Sequence, residues 1–433
     1  MADSRLVPVM GTAAPAVRAG SRSRRASGLL AVLATALPVV LLSQGFILEK
    51  ALDLALEMRL AALWGTSARR DMYLLASSVL VPAGMMELAA IPLIVDFRRR
   101  GAVAEERNLV ASMATVTLLF TVLTVVLALV VWRSSGGDAA PAAEMLAATA
   151  AFGVAGVSMA FLSIKAAHHI AGGRFAFVSA RIPIIRAAMI GGAVALPLGI
   201  AAPALAAVVA SATLAAAVWL QSEPFRWWRL HPRGFAVAAG LLGLNAYPVI
   251  PRLLIERPLL GALGNGTLAT LDFAEKATVI LGLAGFAIVG VATTALSGAR
   301  STYRQRALLV ALLLTPVAAA TGAFAGPIVS LLFERGEFNA ADSAAVTELT
   351  RLLVPSIPFV AGLPLLVPGV QERRAVGRGV ALMAAGLLVH TLATAYTYAT
   401  GDLRAPVIAF DAVYLMLFVG FYTLAKPPSP ERR

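Results

Sequence analysis

Cysteine is absent from all 433 residues, which excludes disulfides, thiolate metal sites and thiol catalysis together. Charge is scarce as well. Asp, Glu, Lys and Arg make up 14% of the chain, against roughly 25% in soluble domains. Acids are rarer than bases, 23 against 36, which leaves a net charge of +13. In a soluble chain that excess would suggest nucleic acid. Here 59% of residues are hydrophobic and the mean hydropathy is +0.83, so the chain reads as a polytopic membrane protein with no nucleic-acid partner. The 4 histidines offer no ligand set: His168 and His169 read as solvated loop residues, with no further ligand at metal spacing. No Ser/His/Asp or Cys/His constellation is present, and Gly172-Gly173 matches no phosphate-binding fingerprint. No outside loop is long enough for a catalytic domain. A transporter, with no cofactor and no metal, is expected rather than an enzyme.

What the chain has in quantity is apolar runs. Twelve spans are expected, near 33–64, 72–96, 109–132, 144–165, 178–198, 202–221, 235–256, 268–296, 307–333, 345–370, 379–400 and 405–425. Most hold the roughly 20 apolar residues that cross a bilayer. Prolines interrupt several, notably Pro355, Pro358, Pro364 and Pro368 in the tenth; membrane helices tolerate such breaks where protein or water satisfies the freed backbone. Residues 1–28 carry Arg5, Arg18, Arg22, Arg24 and Arg25 among Ala, Gly and Ser, and read as a disordered basic tail rather than a cleaved signal.

The loops alternate in charge. Arg98–Arg100 with Arg107, then Lys165, Arg174 and Arg181, Arg226–Arg233, Arg300–Arg306 and Arg373–Arg378 share one side with both tails. The other side has only Arg69, Arg70, Arg133, Arg257, Arg335 and Arg404. The positive-inside rule puts both termini in the cytoplasm. Glu57 precedes Gly65 by the same spacing as Glu256 precedes Gly264, which suggests two related halves. The division expected is a tail at 1–28, an N-terminal lobe at 29–222, a cytoplasmic linker at 223–233, a C-terminal lobe at 234–425 and a tail at 426–433. The fold expected is therefore all-α and polytopic, about twelve transmembrane helices in two six-helix lobes around a central cavity.

Charges inside apolar spans are costly, at least about 2.5–3.5 kcal/mol each near the bilayer centre, so they mark candidate sites. Glu49, Asp53 and Glu57 fall on one stripe of the first helix with Lys50 at its edge. They face either a water-filled cavity or, if the span ends early, the membrane surface. In the eighth span Asp272, Glu275 and Lys276 lie within about one turn, and Arg252 sits between prolines in the seventh. Local pairing would join Lys50 to Asp53 or Glu57, and Lys276 to Asp272. Glu87, Arg186, Glu348, Arg351 and Asp411 are further intramembrane charges; Arg186, Arg351 and Asp411 lie where snorkelling to a helix end would serve. His390 reads as a lone buried histidine, in packing or in a proton relay.

The segment Phe333-Glu-Arg-Gly336-Glu-Phe338-Asn-Ala-Ala-Asp342, followed by a span that ends Leu366-Val-Pro368-Gly369, resembles the MurJ (MviN) lipid II flippases. Leu271-Asp-Phe273-Ala274-Glu275-Lys276 is similar to the motif that opens the family's eighth helix, Glu57 to Asp71 with Gly65 between is similar to its first loop, and Glu87 matches a glutamate of its second helix. The resemblance implies alternating access in the multidrug/oligosaccharidyl-lipid/polysaccharide (MOP) flippase superfamily, and an undecaprenyl-pyrophosphate-linked sugar as cargo. Lys50, Lys276 and Arg252 would attract the pyrophosphate, with Asp272 and Glu275 beside them. Glu49, Asp53 and Glu57 would bind a coupling proton or sodium. The departures lie in the basic residues: Lys276 and Lys50 stand where the family has arginines, another such position falls near Leu56, and a basic pair is lost at Ala83–Met85. Two further readings stay open, a cation-coupled exporter of small molecules and a non-transporting envelope scaffold.

Overall fold

Long stretches rich in alanine, leucine and valine favour continuous helix once a bilayer must be crossed, and every regular element described is helical. The structure, a computed structural model, describes residues 44–45, 47–80, 94, 97, 101–134, 139–171, 176–219, 255–263, 266–278, 302–372 and 375–425. Helix α1 (47–64) stops at Gly65, whose φ of +52° suits glycine. The helices α2 (Ala68–Ser77), α3 (Val103–Ser134), α4 (Ala139–Ala171), α5 (Ala176–Ala195) and α6 (Ala201–Trp219) complete the first half. The second half holds α7 (Arg257–Leu263), α8 (267–278), α9 (Tyr303–Ala323), α10 (Ala325–Phe333), α11 (Ala340–Leu353), α12 (Ile357–Glu372), α13 (Val376–Thr400) and α14 (Arg404–Leu424).

Among the described residues, 8 helical stretches are long and apolar enough to cross a membrane. The first, second, seventh and eighth expected spans are only partly described, and the element order is that of a twelve-helix, multi-pass membrane protein. The ninth span is two helices, α9 and α10, that meet at Phe324. The tenth bends through a 3₁₀ turn at Val354–Ser356, where Pro355 and Pro358 remove ladder donors. Apolar side chains line the outward faces, among them Leu119, Val122, Val126 and Val130 on α3 and Leu388 and Leu392 on α13. Such faces suit hydrocarbon, since a bilayer is as apolar as they are.

Within the first half α4 and α5 both pack on α6, and α3 on α4. Within the second, α9 and α14 pack on α12, and α13 on α14. The short α7 touches α2 and α3 on one side and α13 on the other, so it bridges the halves. One buried cluster runs through both, from Leu60, Trp64, Tyr73 and Phe152 to Phe273, Phe333, Phe338 and Leu417. The linker 223–233, Glu87 and Arg252 lie outside the described residues.

Candidate functional site

Three acids at i, i+4 and i+8 on α1 put their carboxylates on one face, and each meets a cation there. Lys50 Nζ lies 3.0 Å from Glu49 and 3.2 Å from Asp53. Asp53 also takes the Arg186 Nε at 2.5 Å. Arg186 therefore does not snorkel: it sits mid-way along α5, too far from either end to leave the acid that balances it. One turn further, Glu57 holds Arg70 Nη2 and, at 3.2 Å, Lys276 Nζ from α8. Lys50 thus pairs locally, whereas Lys276 reaches across to the first half instead of to Asp272 on its own helix. Asp272 is taken by Arg70 at 3.0 Å and by Arg257 at 3.7 Å. Arg257 donates in turn to Ser78 Oγ at 2.7 Å and to the Leu74 carbonyl at 3.0 Å, both on the N-terminal side of the seam.

Charge alternation assigns Arg70 and Arg257 to loops. Both lie on helices instead, and Arg70 is fully buried. Its guanidinium stands 5.0 Å from the ring centroids of both Tyr73 and Phe273, and its Nε and Nη1 have no hydrogen-bond acceptor. Aromatic faces and two carboxylates thus compensate the charge that water would otherwise solvate. Side-chain exposure is uneven among the ladder's residues. Lys276, Lys50 and Arg186 keep 35%, 31% and 28%, while Glu57 keeps 8% and Arg70 none. The three amine and guanidinium groups of Lys50, Arg186 and Lys276 are reachable, and the Arg70 end is dry.

The dry end is a seal between the halves. Asp71, at the start of α2, accepts from the Gly266 and Ala269 amides at 3.1 and 2.7 Å and so caps α8 across the seam. Glu337 N donates to the Ala62 carbonyl at 3.1 Å, and Thr66 Oγ1 to Asp342. Gly266 and Gly336 have φ of +77° and +59°, and a Cβ on either would overlap the backbone of Thr66 or Ala62. Only glycine fits both the turn and the approach. Phe273, Phe333 and Phe338 pack together behind this seal with centroids 5.0 to 5.9 Å apart, so the α8 motif and the 333–342 motif are one physical unit.

The other expected residues fall as follows. Glu275 is half-buried on α8, and Arg252 lies outside the described residues. His168 and His169 are not loop residues: α4 continues to Ala171, and His168 Nε2 meets Glu106 of α3 at 2.8 Å. Hydropathy ends this helix too early because Lys165 and the two histidines lower the apolar count without breaking a helix. His390 is not lone either; its Nε2 lies 2.6 Å from Glu256, with both side chains buried. Nothing in local periodicity links Glu256 to His390, or Arg70 to Asp272. An arginine pair just before Asp71 at the mouth of a span is the available signal for Arg70.

No protein-family model and no curated protein matches the sequence. Solved structures do match its fold. The lipid II flippase MurJ in its inward closed conformation superposes at a TM-score of 0.70, with 13% identity over 90% of this chain and 88% of that one. An inward-facing multidrug resistance transporter of the MATE family, MOP superfamily, gives 0.60 with 15% identity over 89% and 97%. The Vibrio cholerae MATE transporter VcmN, as a point mutant, gives 0.59 with 13% identity over 91% and 97%. A polytopic helical chain that covers these proteins nearly end to end, with its charges gathered on a seam between two halves, has the fold of the MOP superfamily transporters.

Proposed function

We propose that this protein is a transporter that works by alternating access between two lobes, at 29–222 and 234–425, and that it moves a lipid-linked, anionic head group across a bacterial inner membrane. The cargo class we favour is an undecaprenyl-pyrophosphate-linked sugar, lipid II or another cell-envelope glycolipid precursor. The observation that carries this reading is the charge ladder: Lys50, Arg186 and Lys276 are partly exposed along it, and Arg70, which shares Glu57 with Lys276, is sealed. Three partly exposed cations suit a pyrophosphate, each as a charged donor that can exchange its carboxylate partner for the ligand. The seal joins the 65–71 and 334–343 segments, which charge alternation places outside. Closure on that side would suit loading from the cytoplasm, where such precursors are made.

A second reading is a cation-coupled exporter of small amphiphilic or cationic compounds. Glu49, Asp53, Glu57 and Asp272 favour it, since they nearly balance the cations of the ladder. Reconstitution of the full chain with a panel of lipid-linked sugars, alongside cationic dyes, separates the two. Flip of a pyrophosphate-linked lipid with no dye efflux supports the first reading, and the reverse result removes it.

A further inference from the structure

Glu49, Lys50, Asp53 and Glu57 on α1 are paired in the ladder, and Arg59 on the same helix is not. Six residues separate Arg59 from Asp53, which turns it about 120° away from the carboxylate stripe. It falls in line instead with Leu48, Leu52 and Ala55. Leu48 is 52% exposed and Ala55 is exposed as well, so this is an apolar outer stripe of α1 and not its ladder face. Arg59 is half-buried there, with its Nε enclosed and without an acceptor. Among the described residues no carboxylate or carbonyl takes its terminal nitrogens either. Arg70 and Arg186 each hold a carboxylate, whereas Arg59 leaves a full charge unpaired in an apolar span, where charge is costly.

The surroundings of Arg59 point to what it holds. Three residues on, the Ala62 carbonyl accepts from Glu337 N at 3.1 Å, and Gly336 lies against the same residue. Arg59 is thus one turn beneath the contact between the halves. The helix ends at Gly65, about 9 Å above it, and an arginine stem carries its head toward the headgroup layer over that kind of depth. Below it, Leu48 is about 16 Å down the helix axis, which is about half of the hydrocarbon thickness and so the depth of one leaflet. A phosphate at Arg59 would therefore lay its acyl chain along Ala55, Leu52 and Leu48. Arg335, on the segment that meets Ala62, is exposed and donates only through Nη2, to the Leu331 carbonyl at 2.5 Å, among the described residues. It brings a second cation to the same junction from the other half.

We propose that Arg59 and Arg335 form a site for the phosphate of a bilayer phospholipid, in the leaflet on the side of the seal, and that the bound lipid steadies the seal by joining a cation of each half. The planar fork of arginine matches phosphate oxygens two at a time, which a water shell or a lipid ester carbonyl does not. The occupant is a resident phospholipid and not the cargo, because Arg59 faces away from the ladder that receives the cargo. The proposal goes beyond the cargo reading: it holds for a flippase and for an exporter alike.

The test uses the full chain in lipid nanodiscs, with no cargo and with spin labels on Ala68→Cys and Ala340→Cys, two exposed positions beside the seal. The discs are made of a phosphate-free galactosyl diacylglycerol, into which phosphatidylglycerol of the same chain length is titrated. The expected result is a rise in the short label distance with the phosphatidylglycerol fraction. Arg59→Gln should raise the fraction needed about tenfold, the usual worth of a charge-assisted hydrogen bond, and Arg335→Gln should raise it as well. A seal that ignores phosphatidylglycerol, or that responds to it equally in Arg59→Gln, overturns the proposal. So does a seal that inorganic phosphate closes in the galactolipid alone, since the ligand is then a free anion and not a lipid. A second measurement needs no change at Arg59. Phosphatidylglycerol with a photoreactive headgroup should crosslink the chain within 55–63 and 334–338, and crosslinks confined to other segments overturn the site even if Arg59→Gln does not fold.

Discussion

Arg70 and Asp272, separated by 202 residues, meet at 3.0 Å with both side chains buried, and this contact ties the two halves of the chain together at the dry end of the ladder. Glu57 completes a triad with Arg70, so one guanidinium bridges an acid from each half. The arrangement makes closure of the seal and burial of charge the same event.

Removal of Arg70 should therefore be severe. Arg70→Ala leaves Glu57 and Asp272 buried with less compensation and should cost about 3–5 kcal/mol, read as a fall in Tm of the detergent-solubilised protein. Arg70→Met combined with Glu57→Gln and Asp272→Asn should recover most of that loss. A single mutant as stable as wild type would sink the triad as a structural element.

Lys276 and Glu57 separate the two functional readings. For a pyrophosphate-linked cargo, Lys276→Ala should weaken binding at least tenfold, Lys276→Arg should be tolerated, and Glu57→Gln should leave binding intact or tighten it. A cationic cargo predicts the reverse order. Because Glu57 keeps Arg70 when Lys276 is lost, Lys276→Ala should cost less stability than Arg70→Ala. Binding and Tm should be measured on the same variants.

The seal depends on two glycines that touch the opposite half. Gly266→Ala or Gly336→Ala puts a Cβ into the Thr66 or Ala62 backbone and requires a left-handed conformation at a cost of about 1–2 kcal/mol. Spin labels at Ala68→Cys and Ala340→Cys should then report a longer, broader distance than in the parent. An unchanged distribution would show that the seal can yield without opening.

Asp71 caps a helix that belongs to the other half. Asp71→Ala should cost about 1 kcal/mol, the usual worth of an N-cap, and should speed amide exchange at Gly266 and Ala269. Exchange no faster than wild type at those two amides would argue against the cap.

Charge alternation predicts an orientation that labelling can test. A cysteine at Asn339, in a chain without native cysteine, should react with an impermeant reagent added from the periplasmic side. Labelling only after the inner face is exposed would invert the topology.

Composition and hydropathy alone determined the class of this protein: an all-helical, multi-pass chain without thiol chemistry, because apolar runs of about 20 residues have no other stable form in a bilayer. Periodicity alone showed that Glu49, Asp53 and Glu57 share a face, since helix geometry is local. It could not show what they face. Arg70 and Arg257 read as loop charges because a hydropathy window takes an arginine in a helix's first turn for an interruption. Arg186 reads as a snorkelling residue because its acid lies on another helix, far earlier in the chain. His390 reads as solitary because Glu256 is 134 positions away. Those pairings were decided by tertiary structure, in which the energy of burying a charge depends on a partner that only the packing of distant helices can supply.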